Sequence, residues 1–180
     1  MAGIRKLEAI LMQIGEADGI ESDSSLMNRL EEKLPELGML RLSPPGVKDL
    51  RKHTMKVIAR LPQDASLRWA ALYHDIGKPS VYVNDHGSQF ANHEQTSASI
   101  WISRAIMLGM CERKAHSISA MILLHMRIQQ YNNSWSNRAL RKLAEESVGQ
   151  MEKVIILARA DGMPVGRARD LKERMMKWKK

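Results

Sequence analysis

With 180 residues, 44% of them hydrophobic, the chain is long enough to bury a full core, and its single cysteine excludes an internal disulfide framework. No apolar run reaches the roughly 18 residues of a membrane span, and none near Met1 forms a secretory leader, so a reducing, cytoplasmic setting without a membrane partner is expected. The net charge of +8 and pI near 9.8 suit electrostatic steering of anionic ligands and suit RNA equally well.

The chain reads as helix after helix. Residues 3–17 and 24–34 form two short amphipathic segments, the second entered through Ser24-Ser25 as caps. Ser43-Pro-Pro-Gly46 breaks the run. A third helix from about Val47 to Leu61 stops at Pro62, and a fourth from about Ser66 to Ile76 is ended by Gly77-Lys-Pro79. Ser80 to Phe90, with Val81, Tyr82 and Val83 before a Gly-containing turn, reads as a β-hairpin or extended ribbon. Helices resume at 91–108, 111–129, 136–146 and 148–160, and a basic one spans about 167–178. The expected fold is therefore all-α with one short β-hairpin, in a single domain. Residues 1–45 are too short to bury a core alone and read as helices packed on a central unit of 46–165, with 166–180 as a basic C-terminal helix.

Chemistry concentrates where polar residues interrupt apolar faces. His74-Asp75 ends the apolar run Trp69-Ala-Ala-Leu-Tyr, and an unpaired buried carboxylate there is costly unless a cation neutralises it. His53 falls on the stripe Leu50, His53, Val57, Leu61. His125 falls on Ile118, Met121, Ile122, His125, and Asp161 on Val154, Leu157, Ala158, Asp161, all at the spacing of a buried helix face. A lone inward histidine is ordinarily a hydrogen-bonded core residue, and an inward aspartate ordinarily a cap. Several together point to nitrogen and carboxylate ligands for a divalent metal (Mn, Fe, Co, Ni, Zn or, less well, Mg). With Cys111 standing alone, a structural zinc site is disfavoured.

The order His53, His74-Asp75, Asp161 resembles the H…HD…D signature of the HD-domain metal-dependent phosphohydrolases. Within that superfamily, Leu34-Pro-Glu-Leu37, Asp49-Leu-Arg-Lys-His53-Thr, His74-Asp-Ile-Gly-Lys-Pro79 and Gly87-Ser-Gln-Phe-Ala-Asn-His93-Glu94 most resemble the HD domain of bacterial CCA-adding tRNA nucleotidyltransferases, from about residue 30 to about residue 165. The resemblance implies a helical HD domain in which His53, His74, Asp75 and Asp161 hold a metal that activates water against a phosphoester. Two-metal members use further histidines, which implies His93 and His125 for a second ion or for phosphate contact, with Asp75 as a bridge. His116 is disfavoured, because nine residues place it across the helix from His125. His86 reads as a solvated turn residue in Asn84-Asp-His-Gly87.

The chain departs from its relatives twice. Leu124-His125-Met126 stands where many members carry a His-His pair, and Gly77-Lys78-Pro79 stands where some nucleotide-hydrolysing members carry an acidic pair. Lys78 is then either a phosphate-binding cation or a lysine favoured by a helix C-terminus. Arg127 is either part of the phosphate pocket or a surface residue.

Positive residues gather in Lys48, Arg51, Lys52, Lys56 and Arg60, in Arg138, Arg141 and Lys142, and from Arg167 to Lys180 with Trp178 interleaved. They form either a contact surface for RNA or ordinary solvated helix faces. The expected function is metal-dependent hydrolysis of nucleotides or RNA-terminal phosphoesters, of the 2′,3′-cyclic phosphodiesterase, 2′-nucleotidase or phosphatase type. The alternative is a non-catalytic module that holds tRNA or another RNA. In the resembled CCA-adding enzymes nucleotide addition resides in an N-terminal head with a Gly-rich turn and paired aspartates, and the segment before His53 has neither and is too short for that fold, so nucleotide addition is not expected.

Overall fold

The computed structural model describes residues 2–15, 20–43, 48–82 and 90–177. Among these lie α1 (Ala2–Gln13), α2 (Ile20–Glu31), a 3-10 helix (Pro35–Arg41), α3 (Leu50–Ala59), α4 (Ala65–Tyr73), α5 (Lys78–Val81) and α6 (His93–Met107). The chain continues through α7 (Glu112–Gln129), α8 (Asn137–Glu146), α9 (Met151–Ala160) and α10 (Val165–Met176), with no strand among the described residues. The all-α expectation holds.

Short polar side chains start several of these helices by accepting otherwise orphaned backbone N–H groups. Asp49 accepts from Lys52 N at 2.8 Å, Asp64 from Leu67 N at 2.9 Å, and Ser136 from Ala139 N at 3.2 Å. Two expectations need correction. Helix α2 begins at Ile20, so Ser24 and Ser25 lie inside it and cap nothing. A serine inside a helix costs only about half a kcal/mol, and buried Leu26, Met27 and Leu30 hold α2 in the core beside α1. Ser80 and Val81, read as the start of a ribbon, instead form the single turn α5 with Pro79 in its first turn, a position that needs no N–H donor. The rest of that ribbon, residues 83–89 with His86, lies outside the described residues, as do positions 44–47 and Trp178.

Helix α7 is the hub, packing against α4, α6 and α9, while α3 lies on α4 and α9, and α1 lies on α2 and α4. Trp69, Tyr73 and Trp101 fill the layer between α4 and α6, with Trp101 5.4 Å from Trp69 and 5.2 Å from Tyr73 between ring centroids. Each buried ring keeps its polar tip satisfied: Trp69 Nε1 donates to Glu8, Trp101 Nε1 to Ala115 O, and the Tyr73 hydroxyl to Glu36 Oε1 at 2.6 Å. Buried Arg68 sends its guanidinium to the carbonyls of Leu11, Met12 and Ile14 at 2.9, 2.9 and 3.0 Å, neutralising the end of α1. These contacts hold α4 rigidly, and α4 delivers the central pair of the site.

Candidate metal centre

Six metal-grade side chains converge from five elements. His53 comes from the middle of α3, His74 and Asp75 from the turn after α4, His93 from the first residue of α6, His125 from the last turns of α7, and Asp161 from the residue after α9. Helix α4 stops at Tyr73, earlier than its apolar pattern suggests, so His74 and Asp75 sit on a turn. Gly77 makes that turn fit. A Cβ on it would lie 2.5 Å from His93 O and 2.8 Å from Ser97 N, and its own N–H donates to Ser97 Oγ at 2.9 Å. Only glycine lets α6 approach closely enough to bring His93 to Asp75. Phe90 and Asn92 take left-handed φ values of 66° and 62° just before α6, and the Phe90 carbonyl accepts from His93 Nδ1 at 2.9 Å.

Asp75 is the shared member. Its Oδ2 faces His74 Nε2 at 3.3 Å and His53 Nε2 at 3.5 Å, while its Oδ1 faces His93 Nε2 at 3.2 Å and His125 Nε2 at 3.7 Å. Asp161 Oδ1 joins the first side, 3.0 Å from His53 Nε2 and 3.6 Å from His74 Nε2. The ligand atoms of His53, His74 and Asp75, and those of Asp75, His93 and His125, lie within 4.8 Å of one another. The structure thus forms two donor groups that meet at one carboxylate.

The hydrogen bonds on the far side of each ring decide what the near side offers. His74, His93 and His125 point Nδ1 at the carbonyls of Ala71, Phe90 and Ile122, at 2.7, 2.9 and 2.6 Å. A carbonyl only accepts, so Nδ1 carries the hydrogen and a neutral ring presents a lone pair at Nε2. His93 and His125 therefore face each other Nε2 to Nε2 at 3.3 Å, with Asp75 Oδ1 beside them buried and without a hydrogen-bond donor. Three acceptors around one point, with no donor, suit a cation. His53 and His74 repeat the 3.3 Å approach on the other side. Imidazole nitrogen with carboxylate oxygen suits Mn, Fe, Co, Ni or Zn, and suits Mg less well.

Burial works against charge on His74, but the Asp75 and Asp161 carboxylates overcome it and raise its pKa to about 10. In the protein alone the two carboxylates draw a proton onto His74, a charge that an ion bound there would replace. Burial also opposes ionisation of Asp75 and Asp161, yet neighbouring imidazoles hold both well below the usual carboxylate range. Burial, aided by the charge on His74, pushes His125 down toward the neutral ring that a ligand needs. Two ionised carboxylates in a buried cluster call for positive charge.

Other sequence candidates fall in distinct places. Lys78 opens α5 and sets its Nζ 2.6 Å from Asp75 Oδ2, so its partner is the central carboxylate and not a helix C-terminus. Arg127 pairs with Glu146 and lies 5.9 Å from the Trp135 ring. His116 is exposed on the opposite side of α7, as its spacing from His125 requires. Arg51 is removed from the basic surface, because it is buried against Glu31 and Asn28 at 2.6 and 2.7 Å. Lys52 and Lys56 remain exposed on α3 and Arg60 just after it, as do Arg138, Arg141 and Lys142 on α8 and Arg167, Arg169 and Lys172 on α10. Gln129, which sequence reading passes over, donates to Asp161 Oδ2 at 3.1 Å. Its one available signal is the i+4 spacing from His125 on α7.

A helical bundle that gathers four imidazoles and two carboxylates around one buried aspartate defines a metal-binding helical domain. The chain matches the family model of the HD domain over residues 51–163, well over half its length, and it belongs to that family, whose members are generally metal-dependent hydrolases. A search of curated proteins gave no match. Among the described residues no helix is long and apolar enough to cross a membrane.

Proposed function

We propose that the protein is a metal-dependent phosphohydrolase acting on nucleotides or RNA-terminal phosphoesters. The carrying observation is Asp75, which divides its two oxygens between two pairs of inward-facing imidazoles while Oδ1 has no donor. In this reading His53, His74, Asp75 and Asp161 hold one divalent ion, and Asp75, His93 and His125 hold a second or contact the phosphate. A divalent ion bound there supplies Lewis-acid polarisation of a phosphoryl oxygen and a lowered pKa for water. His53 and Asp161 lie at the solvent-facing edge, so a phosphoester approaches from their side. Lys78, partly exposed beside Asp75, offers its ammonium to phosphate oxygens. The buried histidines exclude water from the opposite side.

The family match is to the HD domain as such, and the narrower likeness to CCA-enzyme HD domains rests on the motifs around His53, His74 and His93. That likeness supports 2′,3′-cyclic phosphodiesterase or 2′-nucleotidase chemistry, and the exposed basic side chains of α3, α8 and α10 support an RNA substrate. The test is elemental analysis of the purified protein, followed by a phosphoester panel in Mn, Ni, Co and Mg. Bound metal with turnover of a nucleotide or cyclic phosphodiester is expected. A protein that binds RNA, holds no metal and hydrolyses nothing would instead be the non-catalytic module. RNA affinity should fall by orders of magnitude between low and moderate salt if roughly six or more phosphates are contacted.

A further inference from the structure

Asp161 sits one residue past the end of α9, where the last carbonyls of the helix make the local potential negative. A carboxylate at that end is repelled by the helix that carries it, so donors from other elements must set its orientation. His53 Nε2 and His74 Nε2 face Oδ1. On the other oxygen the donor is Gln129, whose Nε2 lies 3.1 Å from Asp161 Oδ2 and 3.0 Å from Ala158 O. Both amide hydrogens are thereby used, and two acceptors at one end of the side chain require the nitrogen to be there.

We propose that Gln129 is a positioning residue for the metal centre, tying Asp161 Oδ2 to α7 so that Oδ1 alone is presented to the ion on the His53–His74 side. This role rests on the metal-dependent reading above and adds how the carboxylate is aimed. Gln129 lies one helical turn beyond His125, so α7 serves both donor groups: directly through His125 and through Asp161 by way of Gln129. The end of α7 is itself pinned, since Arg167 Nη1 donates to Gln129 O at 3.1 Å. An outer hydrogen bond of this kind fixes a ligand before the ion arrives, so less ordering is left for binding to accomplish. Were Gln129 only a cap for the Ala158 carbonyl, it would contribute to folding and not to metal affinity.

The test is titration of metal-free protein with Co(II) in competition with a chelating dye, comparing wild type with Gln129→Met and Gln129→His. Methionine keeps the length and loses the N–H, and histidine keeps an Nε2–H the same number of bonds from Cα. In Gln129→Met, affinity for the ion on the His53 side should fall about 10- to 100-fold. The melting temperature of the metal-free variant should stay near that of wild type, and Gln129→His should recover part of the affinity. Should the methionine variant fail to fold, the histidine variant decides, by retaining affinity above the level of Asp161→Asn or not. Affinity of Gln129→Met within about threefold of wild type would overturn the positioning role alone. Equal losses in both variants would also overturn it, whereas wild type that binds no ion would overturn the metal centre itself.

Discussion

The two sides of the centre share Asp75 and differ in their relation to solvent. His53 keeps 29% of its side chain exposed, Asp161 12% and Lys78 20%, whereas His93 and His125 keep 2% and 0%. On the open side Asp161 projects from the end of α9 and His53 from a half-buried position of α3, while their partner His74 is fully buried. On the closed side the ligands are core residues, with the His125 ring 5.2 Å from both His93 and His74. The difference teaches that the same residue types carry different burdens. His53 or Asp161 can be lost with little effect on packing, whereas His93, His125 and the fully buried His74 are also fillers of the core.

The largest expected effect comes from the residue both sides share. Asp75→Ala should reduce bound metal to background and lower phosphoesterase activity by roughly a thousandfold or more, read by elemental analysis and initial rates. Full activity with unchanged metal would remove the mechanism and leave the inward histidines and aspartates as structural.

Next, paired alanine variants separate the sides. His125→Ala should lower the stability by about 2–4 kcal/mol, because it empties a fully buried site and removes the side-chain hydrogen bond to the Ile122 carbonyl, while the open side retains its ion. His53→Ala should show the reverse, losing the open-side ion with a melting temperature close to wild type. Denaturant melts and metal counts on the same samples check both. Equal destabilisation by the two would erase the distinction between the sides.

Gly77→Ala tests the close approach that joins them. A methyl group 2.5 Å from His93 O cannot be accommodated without moving α6, so a loss of about 1–3 kcal/mol is expected, together with weaker metal binding on the closed side. A neutral result would mean that α6 shifts freely against the turn after α4.

The smallest effect concerns the clamp behind both sides. Glu36 accepts from the Tyr73 hydroxyl, one residue before His74, and from Arg104 on α6 at 2.7 and 2.5 Å. Burial opposes its ionisation, but Arg104 and Tyr73 prevail and hold its carboxyl below the usual range. A depressed folded pKa gives stability that is fully present above the unfolded value of 4.5 and is lost as pH falls through the folded one. Melting temperature should therefore decline on acidification below about pH 4.5 more steeply in wild type than in Glu36→Gln. Parallel acid limbs would show that the clamp is not ionic.

Much of the site was legible because helical spacing is a strong signal. The stripes that carried His53, His125 and Asp161 lie on faces whose apolar members are buried, and His116 is turned outward as nine residues along α7 demand. Capping was less legible. Ser24-Ser25 looked like a helix start, yet buried Leu26, Met27 and Leu30 carry α2 through them. Arg51 looked like surface charge and is buried against Glu31, because sequence spacing does not reveal that α2 passes beside α3.

The sequence by itself determined the helical class and singled out His53, His74, Asp75, His125 and Asp161, since these follow from local periodicity and residue chemistry, while His93 was implied only by the family resemblance. Tertiary structure alone decided that Asp75 divides its oxygens between two imidazole pairs, that Lys78 rests on that same carboxylate, and that Gln129 reaches Asp161 from another helix. These facts depend on how α4, α6, α7 and α9 pack against one another. Contacts among residues up to about a hundred positions apart are set by the shape of the whole core and by no local pattern.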